Sequence, residues 1–310
     1  MKRPPPYSNA GDNIPRAVVL MIISTFMFGF MALTIRYASR QLHPFEIAFF
    51  RNLFGFVFTL PLVLRHGFGI FHTRKISLYL MRCAMGIVSM LAAFWAIVHL
   101  PLAQAMSLTY STPLFVTIGA VFILGEVVRA RRWSAVALGF VGVLLIVRPG
   151  HASFQAGSLI ALLAAAVSGL VAVSIKFLSR TEKPDTIVIY TTMLWVPMSL
   201  VPALFFWHAP VGITWLWIVL AGFCGTCGHM FWTRAIKLGD ASLLAPIGFL
   251  QVPVVALFGY FLFGETLDRW TAAGATIIFA SNAYIARRES RLARHAVIDP
   301  EISAETPAPR

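Results

Sequence analysis

Charged residues are scarce in this chain. They make up 12% of its 310 residues, whereas 58% of the residues are hydrophobic. A soluble domain carries about 25% charged residues, so this chain lacks the polar surface that a soluble fold requires. Acidic residues are the scarcer sign, with 12 Asp and Glu against 25 Lys and Arg. The composition excludes a soluble enzyme-sized domain and predicts a protein whose surface faces lipid.

The motifs of several functional classes are also missing. Only three cysteines are present, Cys83, Cys224 and Cys227, and all lie in apolar runs, so no disulfide framework is expected. Cys224 and Cys227 have a Cys-x-x-Cys spacing, but no second Cys or His pair completes a metal site. No Walker A loop, His-Glu-x-x-His or Gly-x-Ser-x-Gly pattern occurs. We therefore predict no ATP use, no catalytic residues, no metal and no cofactor.

Ten apolar stretches are long enough to cross a bilayer, which takes roughly 20 mostly apolar residues. They predict an all-α membrane protein, because the runs are too long for strands and do not alternate apolar with polar residues. The predicted spans are 17–35, 45–64, 77–98, 102–124, 133–148, 157–177, 186–206, 213–234, 242–263 and 270–286.

The distribution of basic residues predicts the orientation. With the N-terminus in the cytoplasm, 18 Lys and Arg fall on the inside and four fall outside, which fits the positive-inside rule. Residues 1–16 and the basic, polar tail 287–310 are then both cytoplasmic. The net charge of +13 is thus a topology signal rather than a sign of nucleic-acid binding. The predicted location is the bacterial inner membrane, with lipid and a small-molecule substrate as partners.

Four short motifs recur in order at separations of 137, 140, 139 and 137 residues. Each half, 17–148 and 157–286, holds five spans, which is an odd number, so the second half is inverted relative to the first. Inverted repeats are what alternating-access transport requires. The paired motifs are Phe94-Trp95 with Phe231-Trp232, Pro113 with Pro253, Leu124-Gly125-Glu126 with Phe263-Gly264-Glu265, and Arg132-Trp133 with Arg269-Trp270.

On these motifs, together with Arg51 and Arg82 early in spans two and three, the chain resembles the EamA-type ten-helix members of the drug/metabolite transporter superfamily. The resemblance covers about residues 17–286 and implies a transporter of small metabolites rather than an enzyme. Members that it resembles export amino acids and other metabolites, and some import compounds such as S-adenosylmethionine or riboflavin. It therefore implies transport without fixing the substrate or the direction. On the resemblance alone, export of amino acids or related metabolites is the first expectation, with uptake of a cofactor-like metabolite as the alternative.

A membrane-embedded enzyme is the alternative outside transport. The sequence leaves open the substrate, the direction, the coupling to protons or exchange, and a homodimer.

Polar residues within spans are costly and therefore point to function. Arg51 is predicted to bind a substrate carboxylate, and the alternative is a fixed structural pair with Glu46 or with helix-end carbonyls. Pro113 and Pro253 are predicted to break their helices, because proline leaves a backbone carbonyl without its usual N–H partner. Breaks at matching places in both halves predict a central binding site.

We expect Gln104, Tyr110, Ser111 and Gln251 to face the cavity beside these breaks. The alternative is a packing kink in which Ser and Thr hydroxyls satisfy the backbone.

Aromatic and titratable residues complete the predicted site. Trp95 and Trp232 are related by the repeat and would provide aromatic walls for the substrate. His229 would carry protons or, alternatively, be a packed and hydrogen-bonded histidine. Glu126 and Glu265 are predicted to be gating or motif residues at the two mouths of the protein.

Overall fold

The computed structural model describes residues 14–66, 76–125, 130–151, 154–178, 184–238, 244 and 247–298. These residues form α-helices and connecting turns, with no strand among them. The helices are α1 (Ile14–Ala38), α2 (Pro44–His66), α3 (Ile76–His99), α4 (Leu102–Thr109), α5 (Thr112–Leu124), α6 (Ala130–Val147), α7 (Gly157–Leu178), α8 (Pro184–Leu204), α9 (Thr214–Leu238), α10 (Gln251–Phe263) and α11 (Arg269–Ile298).

The prediction of an all-helical fold is confirmed, and helical residues occur at every predicted span. Five segments are long and apolar enough to cross a membrane by length and composition, and the α4–α5 pair counts as one of them. Two boundaries differ from the prediction. The fourth span is divided into α4 and α5, and α11 continues to Ile298 instead of ending at residue 286. The apolar run stops where the basic tail begins, but the helix continues into the tail.

Packing between the halves keeps the same pattern when the two halves are exchanged. The repeat relates α1, α2, α3 and α6 to α7, α8, α9 and α11, and it relates the α4–α5 pair to α10. Helix α1 packs along α9, and the equivalent pair, α7 and α3, packs in the same way. The pairs α2 with α8, α4 with α10, and α6 with α11 each map onto themselves. The structure is therefore an intertwined two-repeat bundle, and most of its major contacts join one half to the other.

Two glycines end equivalent helices in the same unusual conformation. Gly125 follows α5 with φ 67° and ψ 22°, and Gly264 follows α10 with φ 65° and ψ 20°. This left-handed conformation costs glycine little, and it stops a helix while its final carbonyls find partners. The two motifs that the repeat paired by sequence thus share one backbone geometry. Glu126 itself lies outside the described residues.

The last helices of the two halves, α6 and α11, cross at a pair of glycines. A Cβ added to Gly274 would lie 2.4 Å from the carbonyl oxygen of Gly142, and one added to Gly142 would lie 2.7 Å from the carbonyl oxygen of Gly274. Small residues let helix backbones approach closely, which is the main source of helix association where lipid surrounds the protein. The contact between α6 and α11 at these glycines leaves no room for a methyl group.

We predict that Gly274→Ala lowers the stability of the protein by about 1–3 kcal/mol, because overpacking at a closed backbone contact forces the helices apart. The measurement is the midpoint of thermal unfolding in detergent. Gly29→Ala is the matched control, since its added Cβ would lie 3.5 Å from Val255, an ordinary contact distance. Equal losses in both variants would contradict the prediction.

Candidate functional site

Two helix breaks, one in each half, meet across the interface between the halves. Tyr110 and Ser111 separate α4 from α5, and α10 begins at Gln251 directly after a turn at residues 249–250. The hydroxyl of Tyr110 donates to the carbonyl of Gly248 and lies 3.1 Å from Oε1 of Gln251. We call this meeting point, defined by Tyr110, Gly248 and Gln251, the crossing. It joins the interrupted part of one half to the interrupted part of the other.

The two prolines lie just after the breaks. Pro113 and Pro253 fall in the first turn of α5 and α10, where a missing N–H removes no helical hydrogen bond. The side chain of Thr112 returns to the backbone and donates to the carbonyl three residues before it at 2.8 Å. Each proline therefore marks the start of a new helix rather than a kink within a continuous one.

Two predicted cavity residues form hydrogen bonds within the protein. Ser111 is fully buried, and its hydroxyl donates to the carbonyl of Leu108 at 2.6 Å. Gln104 donates its amide to the hydroxyl of Ser158 on α7 at 3.0 Å. These contacts match the alternative in which polar side chains satisfy the local backbone and the helix packing. Tyr110 and Gln251 lie at the crossing, whereas the side chains of Ser111 and Gln104 form their hydrogen bonds elsewhere.

Asn282 on α11 is a component of the site that sequence reasoning missed. Its amide nitrogen donates to the backbone carbonyl of Tyr110 at 2.7 Å, which satisfies the carbonyl at the break. Because a carbonyl can only accept, this bond fixes the orientation of the amide, and Oδ1 of Asn282 faces the other way. That oxygen is buried and has no hydrogen-bond partner among the described residues. The sequence signal was a lone asparagine inside the last apolar span.

Aromatic rings form a wall beside the crossing. The rings of Tyr110 and Phe249 lie 5.0 Å apart, and those of Phe249 and Phe279 lie 4.7 Å apart. The amide nitrogen of Gln251 lies 3.9 Å from the sulfur of Met106, which is a weak acceptor. The crossing therefore combines hydrogen-bonding groups with a flat aromatic surface, a combination typical of sites for small organic molecules.

Arg51 lies on α2, two turns from its start, and is 8% exposed. Its guanidinium donates to Oδ1 of Asn52 at 2.9 Å, and the amide of Asn52 donates to Ser199 on α8 at 3.2 Å. Gly225 on α9 provides the space for this group, because a Cβ there would lie 2.8 Å from Nη2. Nε of Arg51 has no partner among the described residues. The alternative of a pair with Glu46 is not what the structure contains.

The predicted aromatic and histidine residues take their contacts away from the crossing. Trp95 stacks on His99 at 3.9 Å near the end of α3. The ring of His229 lies edge-on to Phe28 at 5.0 Å, and Trp232 is 43% exposed. Trp95 and Trp232 are related by the repeat, but the structure does not bring them to one site.

Glu46, Glu265 and Asp268 lie at one end of the bundle, which we call the acidic end. There the guanidinium of Arg36 on α1 pairs with Glu265, and the other carboxylate oxygen of Glu265 accepts the N–H of Leu102 at 2.7 Å. Glu265 thereby caps the start of α4, while Arg36 caps the end of α3. The carbonyls that Arg36 contacts are those of Ile97, Val98 and Leu100.

The other two acidic residues make the same kind of link between the halves. Glu46 is fully buried and accepts the N–H of His43 at 2.7 Å as well as the N–H of His208 in the second half. Asp268 pairs with Arg148 at 2.5 Å. Each of these three acidic side chains bonds to the other half of the chain, so charge-assisted hydrogen bonds hold the two halves together at the acidic end.

His43 contributes a pH-sensitive group to the acidic end. Its ring stacks on Phe206 at 3.8 Å. Burial is the main cause that lowers the pKa of His43, the carboxylate of Glu46 opposes this, and His99 adds to it. A histidine whose pKa is lowered by folding stabilises the folded state above its ordinary pKa, and this contribution is lost as the pH falls.

The two halves of the chain match one family in succession, at residues 15–148 and 155–287. The chain belongs to the EamA-like transporter family. The predicted resemblance is thereby confirmed, as is the assignment to transmembrane transport. As an EamA-like protein with apolar helices throughout, the chain is a multi-pass membrane protein, and its relatives are named as transporters rather than enzymes.

Characterised relatives carry different substrates. The chain is 30% identical to a riboflavin transporter of Brucella anthropi, covering 81% of this chain and 90% of the relative. It is 28% identical to an S-adenosylmethionine uptake transporter of Rickettsia felis, covering 83% and 87%. It is 27% identical to a pseudopaline exporter of Pseudomonas aeruginosa, covering 89% and 98%. The chain is thus a small-metabolite transporter of a family whose members work in both directions.

A crystal structure has the same fold. It matches 88% of this chain and 98% of its own length with a TM-score of 0.62, at 20% sequence identity. This similarity supports the helical two-repeat arrangement.

We predict that Arg36→Gln increases amide hydrogen exchange at residues 97–102 at least tenfold. The variant removes charge-assisted hydrogen bonds to the end of α3 and to Glu265, each worth about 1.5–3 kcal/mol. Hydrogen exchange followed by mass spectrometry measures the effect. Arg40→Gln, at an exposed arginine of the same end, is the control and leaves exchange unchanged. Unchanged exchange in both variants would contradict the role given to Arg36.

Proposed function

We propose that this chain is an alternating-access transporter of the inner membrane, with ten spans and both termini in the cytoplasm. The repeats 17–148 and 157–286 are inverted, so that two conformations related by exchanging the halves open to opposite sides. The interleaved packing of the halves supports this, because most of the major helix contacts cross between them. In this orientation the acidic end faces the periplasm, and the structure corresponds to a state closed on that side.

The substrate is a small metabolite that carries a carboxylate group. The observation that carries this proposal is Arg51, which is 8% exposed and whose Nε has no partner in the described part of the chain. An unpaired charge removed from water costs several kcal/mol, so a buried arginine requires a counter-charge. The acidic side chains that the structure describes, Glu46, Glu265 and Asp268, are engaged at the acidic end. A substrate carboxylate would provide the missing partner.

Export of amino acids or related metabolites is the direction and class that we propose first. An amino acid supplies a carboxylate that can pair with the guanidinium of Arg51. The relationship to a pseudopaline exporter agrees with export.

Uptake of a cofactor-like metabolite is the second candidate. It is favoured by the aromatic wall of Tyr110, Phe249 and Phe279, on which a planar ring system could stack. The names of the riboflavin and S-adenosylmethionine transporters point the same way. A planar neutral molecule would stack on the aromatic wall and leave Arg51 without a partner. Transport of an amino acid would therefore depend on Arg51, whereas transport of such a molecule would not.

Transport by the purified protein in proteoliposomes distinguishes the candidates. Labelled amino acids and a panel of cofactors are offered on either side, with and without a pH gradient. Flux of an amino acid down its own gradient, unaffected by pH, supports the exporter. Accumulation of a cofactor against its gradient supports uptake instead. No flux of any compound, in protein that remains folded, would contradict transport through this site.

We predict that Tyr110→Phe and Gln251→Ala each lower flux about two- to tenfold while folding and membrane insertion are retained. Each variant removes a hydrogen bond at the crossing, worth about 0.5–1.5 kcal/mol net. Initial rates in proteoliposomes, normalised to inserted protein, give the measurement. Tyr260→Phe is the matched control, since Tyr260 is 57% exposed. Normal flux in both variants would move the site elsewhere.

We predict that Arg51→Gln removes the preference for carboxylate substrates. The ratio of flux for an amino acid to flux for its methyl ester falls about 10- to 100-fold, which is the effect of losing a hydrogen bond to a charged group. Arg51→Lys keeps the charge and retains part of the preference. A ratio equal to that of the unmodified protein would show that Arg51 has a structural role only.

A further inference from the structure

A second buried arginine lies at the opposite end of the bundle from the acidic end, where α3 packs on α8. Arg82 is 7% exposed and lies six residues from the start of α3. Its Nη1 donates to the hydroxyl of Thr191 on α8. Its Nε is buried and has no hydrogen-bond partner among the described residues. None of the described acidic side chains contacts it, because these lie at the acidic end.

Trp195 provides a second donor without an acceptor in the same interface. Its indole N–H is buried and has no partner in the part of the chain that the structure describes. Gly86 faces this ring, because a Cβ on Gly86 would lie 2.9 Å from Cζ2 and 3.1 Å from Nε1 of Trp195. Arg82 and Gly86 are four residues apart on α3, as Thr191 and Trp195 are on α8. Residues so spaced share a helix face. Because Arg82 contacts Thr191 and Gly86 faces Trp195, Arg82 and Trp195 lie on the facing surfaces of α3 and α8, one helical turn apart.

Stacked aromatic rings cover this interface on the side toward the start of both helices. Tyr79 and Tyr190 stack at 4.9 Å with an interplanar angle of 28°, and Leu78 and Leu194 pack against them. Both tyrosines are buried. The cluster of Arg82, Thr191 and Trp195 is therefore screened from the nearer end of the bundle. The effective dielectric around the cluster is low, so an uncompensated charge there is costly.

We propose that Arg82 and Trp195 form a binding site for a small oxyanion, that is, a carboxylate or phosphate group. Both unpaired groups are N–H donors, so the ligand must be an acceptor. A water molecule would satisfy the two N–H groups but leave the positive charge of Arg82 uncompensated, which is the larger cost. An oxyanion meets both requirements, because it carries negative charge and several acceptor oxygens.

This site lies in a different interface of the fold from Arg51. Arg51 belongs to α2, which packs on α9, and Arg82 belongs to α3, which packs on α8. Exchange of the two halves converts one of these interfaces into the other. Arg51 lies seven residues from the start of α2 at the acidic end, and Arg82 lies six residues from the start of α3 at the other end. Arg51 and Arg82 thus lie about 10 Å from opposite ends of the bundle, and neither contacts an acidic side chain among the described residues.

Binding is tested on the purified full chain in detergent, so the result does not depend on transport. Acetate or inorganic phosphate replaces chloride at constant ionic strength, and the midpoint of thermal unfolding is followed, since a bound ligand stabilises the folded state. The midpoint is expected to rise with saturation in the unmodified protein. Arg16→Gln, at an exposed arginine toward the same end as Arg82, is the matched control and responds in the same way.

The variants of the site separate charge from hydrogen bonding. Arg82→Gln is expected to weaken the apparent affinity at least tenfold. Arg82→Lys keeps the charge without the Nε donor and gives an intermediate loss. Trp195→Phe keeps an aromatic ring, loses only the N–H donor, and weakens binding about fivefold. Trp195→Phe and Arg82→Lys carry the test if Arg82→Gln does not fold. An unmodified protein that does not respond, or variants that respond as it does, would overturn the proposal.

Transport assays then identify the source of the oxyanion. If the ligand is the carboxylate of the substrate, acetate raises the KM for flux without changing the maximal rate, and Arg82→Gln weakens this competition. If the ligand is a separate inorganic anion, phosphate on one side changes the maximal rate instead, and this change is absent in Arg82→Gln. Phosphate and acetate effects that are undiminished in Arg82→Gln would contradict a site at this residue.

Discussion

A backbone group that is released inside a bilayer has no water to bind, so it must find its partner within the protein. This constraint governs the structure wherever a helix is broken. The carbonyl of Tyr110 is satisfied by Asn282 from the last helix, and the carbonyl of Gly248 is satisfied by the hydroxyl of Tyr110 from the other half. Breaking a helix in one repeat therefore commits the other repeat to supply a partner, and polar groups gather at that place.

The same requirement explains how one end of the bundle is closed. The last carbonyls of α3 and the first N–H of α4 would need water if the end were open. In this structure Arg36 and Glu265 satisfy them. Arg36 belongs to the first half and Glu265 to the second. The bonds that cap these helices are therefore part of the same network that joins the two halves at this end. If the protein opens at this end, as the proposed alternating access requires, these bonds are exchanged for bonds to water, which keeps the energy difference between the closed and open states small.

The sequence predicted the features that depend on position along the chain. Hydropathy located the helices, and the repeat paired Gly125 with Gly264, which share one conformation. It did not predict which way side chains point around each helix axis. Ser111 turns to a local carbonyl and Gln104 to a side chain of α7, whereas Asn282, which has no repeat-related asparagine, reaches the break from a distant helix. Rotation about a helix axis is set by packing between helices, which hydropathy alone does not encode.

The arrangement of charge bears on how transport is driven. Arg51 and Arg82 are buried without an acidic partner among the described residues, and the described carboxylates are engaged at the acidic end. If an anionic group of the substrate compensates these arginines, an empty carrier must pass through its occluded state with uncompensated charge, which is costly in a medium of low dielectric. A loaded carrier avoids that cost. A transporter built in this way changes conformation more readily when it is loaded, and this is the physical condition for exchange of one substrate for another.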